Sequence, residues 1–513
     1  MINNQYAIID MGSNSFRLVI NEIDNHGQYK ELHNFKTVAR LSTFIKDDGN
    51  LAEEGIKIIL DTLSRFKEVT HYHQVNKMIV IATAAMRKAQ NKEMIINRVQ
   101  EKLGITIRIL SEYEEAFYGY LAVVNSTNMT EGFTVDIGGG STEVTLFQNR
   151  KLKYYHSFPF GAITLHQKFF HPNQSNMVAI QALKKYIHEQ LSTLPWLKAN
   201  LHYPVIGIGG SARNLSLIDQ RQKEYPLAGI HQYEINKEDL FAINVMLQQS
   251  NTEERTQIDG LSKDRVDIII PAAEVISSIV DHVQASKFIM SRKGLRDGVF
   301  YEELLKTMET NHFPNVVEEN LHQITYKYDL KLDHVNQISL LATQLYKTLL
   351  PYSQIEHNTE EAYRLLNLSA RVLYIGETIN NESSSQNTFY LLTNTTIEGL
   401  SHQERLAVAF ISSYKSKSQM MQYAEPFKKM IDKRDLKLFD FLGSIMKLAY
   451  SLDRTRRKAI TEIGQAMKNN NVLSIQLFYR EDPFFENIQA TKNKKSLEKA
   501  IKHSIEFNYT AIS

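Results

Sequence analysis

Asp136 and Glu143 bracket three consecutive glycines in the stretch VDIGGGSTEV, residues 135–144. Glycine lets backbone N–H groups approach a ligand closely, and successive N–H groups in such a turn form an anion-binding concavity. Phosphate is the natural guest, yet two carboxylates would repel it. A divalent cation resolves the conflict: magnesium accepts one or two carboxylates, keeps several waters and binds phosphate oxygens. The pattern points to a turn that holds a phosphoryl group, with Asp136 and Glu143 on its metal. The plainer alternative is a tight hairpin whose glycines serve only geometry.

The pattern recurs near the N-terminus. IIDMGSNSFRLVI aligns with TVDIGGGSTEVTL, setting Asp10 against Asp136 and Gly12 against Gly138. A third glycine turn, VIGIGGSARNLS (205–216), follows a buried strand and runs into a helix-like sequel. None of these is a Walker loop, since G-x-x-x-x-G-K-[ST] is absent and a strand follows each of the first two turns.

The elements that must position these turns can be read from periodicity. FRLVINEI alternates, with Phe16, Leu18 and Ile20 on one side and Arg17, Val19 and Asn21 on the other, so a half-buried strand is expected. EEGIKIILDTLSRFKEV has helical spacing, KMIVIATAA reads as a buried strand, and NKEMIINRVQEKLG as a helix ended by Gly104. ITIRILS reads as a strand and EYEEAFYGYLAVV as a helix with acids in its first turn, where the dipole favours them. From about residue 306 the strand-like runs fade and 3.6-residue periodicity takes over, which predicts an all-α domain to the end. HFPNV (312–316) reads as a linker.

Length and composition bound the rest. The chain has 513 residues, enough for two to four domains, and a net charge of +2, which argues against a dedicated nucleic-acid binder. The absence of cysteine excludes disulfides, thiolate nucleophiles and cysteine metal sites. The N-terminal stretch MINNQYAIIDMG lacks a signal-peptide pattern, and no apolar run reaches the ~18 residues of a spanning helix. A cytoplasmic protein with no membrane association is the expectation.

AIIDMGSNSFRLVI, IATAAMRKAQN, LSEYEEAFYGYLAV, VDIGGGSTEVTLF, GIGGSARNL and GLRDGVFYEEL (294–304) together resemble the exopolyphosphatase / guanosine pentaphosphate phosphohydrolase family, within the actin-like ATPase superfamily. The resemblance implies an α/β fold of two actin-like (ribonuclease H-like) domains, 1–125 and 126–305. An all-α domain resembling His-Asp (HD) phosphohydrolase domains would follow at 306–513. It implies magnesium-assisted hydrolysis of the terminal phosphoanhydride of inorganic polyphosphate, or conversion of guanosine pentaphosphate to tetraphosphate, by a homodimer.

By the same resemblance Glu115 orients or deprotonates the attacking water; its neighbour Glu114 is the alternative, and Glu112 stands where relatives often have glycine. Asp136 and Glu143 take the metal, and Asp10 is their counterpart in the first half. Gly12, Ser13, Asn14 and Arg17 follow the first turn and can touch phosphates, although Arg17 also reads as a solvated strand residue. Arg87 resembles a phosphate-binding arginine, with a surface ion pair as its alternative. Gly138, Gly139, Gly140, Ser141, Gly209, Gly210 and Ser211 offer backbone or hydroxyl donors. Leu373 and Tyr374 stand where a His-Asp pair would be, so no second hydrolytic site is expected. His322 and His334 read as surface or core residues rather than ligands. The basic runs RTRRK (454–458) and KNKK (492–495) read as a solvated face, or as a polyanion path. Outside hydrolysis, the same scaffold admits a polyphosphate or alarmone sensor, or a sugar-kinase-like phosphotransferase.

Overall fold

The computed structural model describes residues 4–24, 27–171, 176–198 and 201–512; Met1–Asn3 of the N-terminal stretch lie outside the described residues. The chain forms two compact units, Met1–Tyr225 with Ile230–Val316, and Pro226–Gly229 with Val317–Ser513.

The first unit carries one plan twice. Strands β1 (Asn4–Met11), β2 (Ser15–Ile23), β3 (Tyr29–Val38), β4 (Lys77–Ala82) and β5 (Ile107–Ile109) form a sheet in the order β3-β2-β1-β4-β5. Strands β6 (Gly132–Ile137), β7 (Thr142–Gln148), β8 (Lys151–Phe158), β9 (Val205–Ile208), β10 (Glu234–Ile235) and β11 (Phe288–Met290) form another, ordered β8-β7-β6-β9-β11-β10. In each, an antiparallel three-strand meander is followed by a strand parallel to its first member, β4 beside β1 and β9 beside β6. This is the doubling of an actin-like fold that the family resemblance implies.

Alternation along the strands explains how the sheets pack. Phe16, Leu18 and Ile20 of β2 join Ala7, Ile9 and Met11 of β1 in a core with Ile56, Ile59 and Leu63 of the helix Glu53–Tyr72. Large apolar side chains buried this way contribute ~1.5–3 kcal/mol each. The second sheet has its own core, built on Phe133, Val135 and Val144. A third cluster joins the halves. Ile8 and Ile81 of the first sheet and Ile206, Ile208 and Ile289 of the second cover two helices, Glu112–Val124 and Leu295–Thr307. The boundary expected at 125/126 therefore separates two sheets inside one compact unit.

Two expectations need correction. Residues 312–316 are not a free linker: Phe313 is buried in the first unit, stacked with Tyr29 and edge-on to Tyr301, so that unit ends at 316 rather than 305. The second unit is helical through Lys433–Leu452, but it is not all-α. Strands β12 (Ile460–Asn469), β13 (Val472–Tyr479) and β14 (Ser504–Ala511) form a sheet near its C-terminus. β13 alternates in burial, with Leu473, Ile475 and Leu477 inward, which makes it a strand with one buried face.

Candidate active site

Both meander turns close with the same hydrogen bond. Gly12 N–H donates to Ser15 O at 3.2 Å, and Gly138 N–H donates to Ser141 O at 3.0 Å. The residues flanking each turn pair across their hairpins: Asp10 with Arg17, and Asp136 with Glu143. The turns also meet. A side chain on Gly139 would lie 3.2 Å from Ser13 Cβ of the opposite turn. Between them runs a cleft of about 220 Å³, lined by Asp10, Gly12, Ser13, Asn14, Arg17, Glu115, Asp136, Gly138, Gly139, Ser141, Glu143, Gly209 and Gly210 among the expected residues.

The third turn lies at the end of β9 and opens the helix Gly209–Gln222. Gly209 has φ +85°, and a Cβ there would stand 2.5 Å from Asp136 Oδ1, so this position requires glycine on both counts. The first residues of that helix and of Leu295–Thr307 line the cleft, which aims two helix N-termini at its contents.

Glu115 and Glu114 separate cleanly. Ser111 caps the helix Glu112–Val124; its Oγ accepts from Glu114 N–H at 3.2 Å, while Glu114 Oε2 accepts from Ser111 N–H at 2.8 Å. Glu114 also binds Arg108. It is thus occupied in a capping box, and Glu115 faces the cleft. Arg87 lies outside the cleft lining: its Nη1 donates to Glu115 Oε2 and to Leu110 O, both at 2.9 Å. The side chain thus meets the glutamate beside the cleft, in a largely buried pair rather than a surface one. Ser211 and Gly140 are likewise off the cleft wall. Ser211 Oγ accepts from Arg265 Nη1 at 3.1 Å, and Gly140 O accepts from Lys88 Nζ at 2.9 Å.

The wall carries charge of both signs. Its carboxylates are Asp10, Glu115, Asp136 and Glu143, and its cations are Arg17, Lys36, Arg213, Arg265, Arg292 and Arg296, among the described residues. Burial, then the nearby Asp136 and Asp10, push Glu115 up to about 7 against the opposing pull of Arg87. Burial and Asp10 push Asp136 up to about 6. Burial, Glu115 and Asp136 push Glu143 well up, although Ser157 Oγ donates to it at 2.9 Å. Among the cations, burial and the neighbouring Arg296 and Arg213 bring Arg17 down to about 10. Arg296 reaches Asp10 at 2.7 Å. Arg17 is therefore a cleft residue rather than a solvated one.

A divalent cation fits this donor set. Asp136 and Glu143 sit opposite each other in strand register, on one face, and both disfavour their own charge in that position. No group of three or more His, Asp or Glu suited to a metal occurs among the described residues. Two carboxylates completed by water and phosphate oxygens is the manner in which magnesium binds.

Sequence reasoning passed over Lys36, Arg213, Arg265, Arg292 and Arg296. Arg213 and Arg296 lie inside the motifs SARNL and GLRDG, so the signal was present; Arg265, in a 3-10 turn, gave none. In the second unit Tyr374 donates to Tyr414 O at 2.7 Å, and His334 Nδ1 meets Asp453 Oδ2 at 2.7 Å. Three cations of the RTRRK run pair locally, Arg456 with Glu377, Arg457 with Glu481 and Lys458 with Asp333.

The Ppx/GppA phosphatase family matches residues 19–307, and Ppx/GppA phosphatase domain III matches 316–499. A guanosine-5'-triphosphate,3'-diphosphate pyrophosphatase of Vibrio parahaemolyticus is 25% identical over 416 residues, 79% of this chain and 80% of the relative. The crystal structure of an exopolyphosphatase from Cytophaga hutchinsonii matches with TM-score 0.54 and 26% identity, covering 59% of this chain and 98% of that one. An Aquifex aeolicus Ppx/GppA family member matches with TM-score 0.52 and 25% identity, covering 60% and 99%. Among the described residues no helix is long and apolar enough to cross a membrane.

Proposed function

Since the chain belongs to the Ppx/GppA phosphatase family, whose members hydrolyse phosphoanhydrides, we propose that this cleft removes orthophosphate from the end of inorganic polyphosphate. One observation carries the reading: the two turns face each other across a single cleft that pairs four carboxylates with six cations and has no aromatic ring on its wall, among the described residues. Such a wall suits a bare polyanion; the rings of Tyr29 and Phe300 line the adjoining space that shares Arg17 and Arg296, not this one.

In this reading Glu115 accepts a proton from water as the water oxygen attacks the terminal phosphorus. The P–O anhydride bond breaks, and the shortened chain leaves as a phosphate anion. Arg87 holds the Glu115 carboxylate in place. The turn amides of Gly139 and Ser141, with Ser13 and Asn14, seat the transferred phosphoryl. Arg17, Arg213 and Arg296 balance charge on the oxygens, where fixed donors do most in phosphoryl transfer. Asp136 and Glu143 would hold magnesium, which when bound neutralises phosphate charge. A sensor that only binds has no need of a water-activating base. Homodimer formation and a cytoplasmic location belong to the same reading.

A second substrate, guanosine pentaphosphate, is favoured by the curated Vibrio relative, whose name states that chemistry. Orthophosphate release from long-chain polyphosphate, guanosine pentaphosphate and ATP, with magnesium varied, decides between them. Magnesium-dependent release from polyphosphate at the highest kcat/KM supports the reading; release confined to the nucleotide replaces it, and binding without release makes the protein a sensor.

A further inference from the structure

A trans peptide sets its C=O and N–H on opposite sides of the chain. Whatever holds the carbonyls of the glycine run therefore decides where its amides point. Gly138 O accepts from Ala162 N–H at 2.9 Å, and Gly139 O accepts from Ile163 N–H at 3.0 Å and Thr164 N–H at 3.2 Å. These donors open the helix Ala162–Phe169, which belongs to the same half as the turn. Gly140 O is held differently. Lys88 Nζ donates to it at 2.9 Å and reaches Pro159 O at 3.4 Å.

Lys88 ends the short helix Ala84–Lys88 that follows β4, so this donor crosses from the half of the first sheet to the turn of the second. The first turn is held from within its own half. Ser13 O accepts from Ser42 N–H at 3.4 Å, and Asn14 O accepts from Ala39 N–H at 3.0 Å and Arg40 N–H at 2.9 Å. Lys88 is absent from the cleft wall, whereas Gly139 and Ser141 are on it. The bonded carbonyl of Gly140 thus lies on the outer side of the turn, and the Ser141 N–H of the same peptide faces the cleft. That N–H has no protein partner among the described residues. Gly140 has no side chain to restrain its backbone, so the orientation of this peptide depends on the bond from Lys88.

We propose that Lys88 is a positioning residue, which by holding Gly140 O aims the Ser141 amide at the phosphoryl group to be transferred. It acts through one peptide and touches neither substrate nor metal. The proposal rests on the phosphoanhydride reading above and adds to it a determinant of phosphate affinity supplied across the cleft. The group recognised is a terminal phosphate oxygen, which polyphosphate and nucleotide substrates share.

Binding reads this without turnover. Kd for an imido-linked triphosphate with magnesium is measured on the unsubstituted protein, Lys88→Met, Lys88→Arg and Arg40→Met. Lys88→Met should raise Kd about tenfold, the lower end of what a hydrogen bond to a charged oxygen contributes. Lys88→Arg should restore it to within about twofold. Lys88 also lies near Glu143 and Glu115, so a hydrogen bond must be separated from a charge. The rise should persist in about 0.5 M KCl, where a charge effect is screened. Arg40→Met breaks a different link between the halves, the pair with Asp267 at 3.4 Å, and should leave Kd within about twofold. In steady-state release KM should rise with Kd for Lys88→Met, while kcat holds within about threefold. An unchanged Kd, no rescue by arginine, a rise lost in salt, an equal rise in Arg40→Met, or a loss confined to kcat overturns the proposal. Orthophosphate release by the unsubstituted protein is read separately. Its absence ends the hydrolytic reading and leaves the Kd comparison to judge Lys88.

Discussion

Replacing Glu115 by glutamine tests the proposed base with little disturbance of shape. Glutamine keeps an oxygen that can accept from Arg87 Nη1, the 2.9 Å bond that holds the side chain, and it leaves the Ser111–Glu114 capping box intact. It removes the ability to take a proton. General-base contributions are ~10²–10⁴-fold, or about 2.7–5.4 kcal/mol at 1.36 kcal/mol per decade. The larger end is expected, because burial and the neighbouring Asp136 and Asp10 bring Glu115 to about 7, where a carboxylate is a far better base than in water. The variant also carries one negative charge fewer beside the phosphate, so binding should hold or tighten. The assay is stopped-flow orthophosphate release under single-turnover conditions, with Kd measured alongside. A fall of two to four decades in rate with Kd unchanged or lower is predicted. A rate within fivefold of the unsubstituted protein refutes Glu115 as the base, and a large rise in Kd assigns it to binding instead.

Glu115 acts only when ionised, so kcat should fall about tenfold per pH unit below about 7. Arg87→Gln removes the cation that opposes this rise, so the acid limb of the pH–rate profile should move to higher pH; an unmoved limb dissociates Arg87 from the base. Asp136 is raised in the folded state, so its contribution to stability is complete below its ordinary range and is lost as pH rises through about 6. In metal-free protein, Asp136→Asn should therefore raise Tm at pH 8, by up to about 3 kcal/mol of stability, and not at pH 4. The same variant should flatten the magnesium dependence of turnover. Gly209→Ala places a methyl against Asp136 Oδ1 at a positive φ, and a loss of 1–3 kcal/mol or so in denaturant unfolding is expected together with weaker metal dependence.

The paired turns were legible because a hairpin has period two. Residues equidistant from a tight turn face each other, so the spacing of Asp136 and Glu143 already encoded their registry. The opposite face of β2 was harder to read. Alternation showed that Arg17, Val19 and Asn21 share a side, but only the fold shows that the side meets a cavity rather than solvent. Glu114 was distinguishable from Glu115 in principle, because Ser111 three residues earlier makes the pattern of a capping box. Arg265 was not: a cation in a short turn has no periodicity, and its place depends on packing more than a hundred residues from the first turns. The C-terminal sheet was passed over because its strands flank the helix Phe484–Ile501 and β12 is mostly polar. Even so, the alternation in VLSIQLFY was visible.

The most direct test of the account is a crystal structure of the Glu115→Gln protein grown with magnesium and a non-hydrolysable imido-linked triphosphate. The terminal phosphoryl should lie between the Gly12–Arg17 and Gly138–Ser141 turns, with the cation on Asp136 and Glu143 and the rest of the analogue directed toward Arg296. An analogue bound elsewhere, or a cation that avoids both carboxylates, would contradict it.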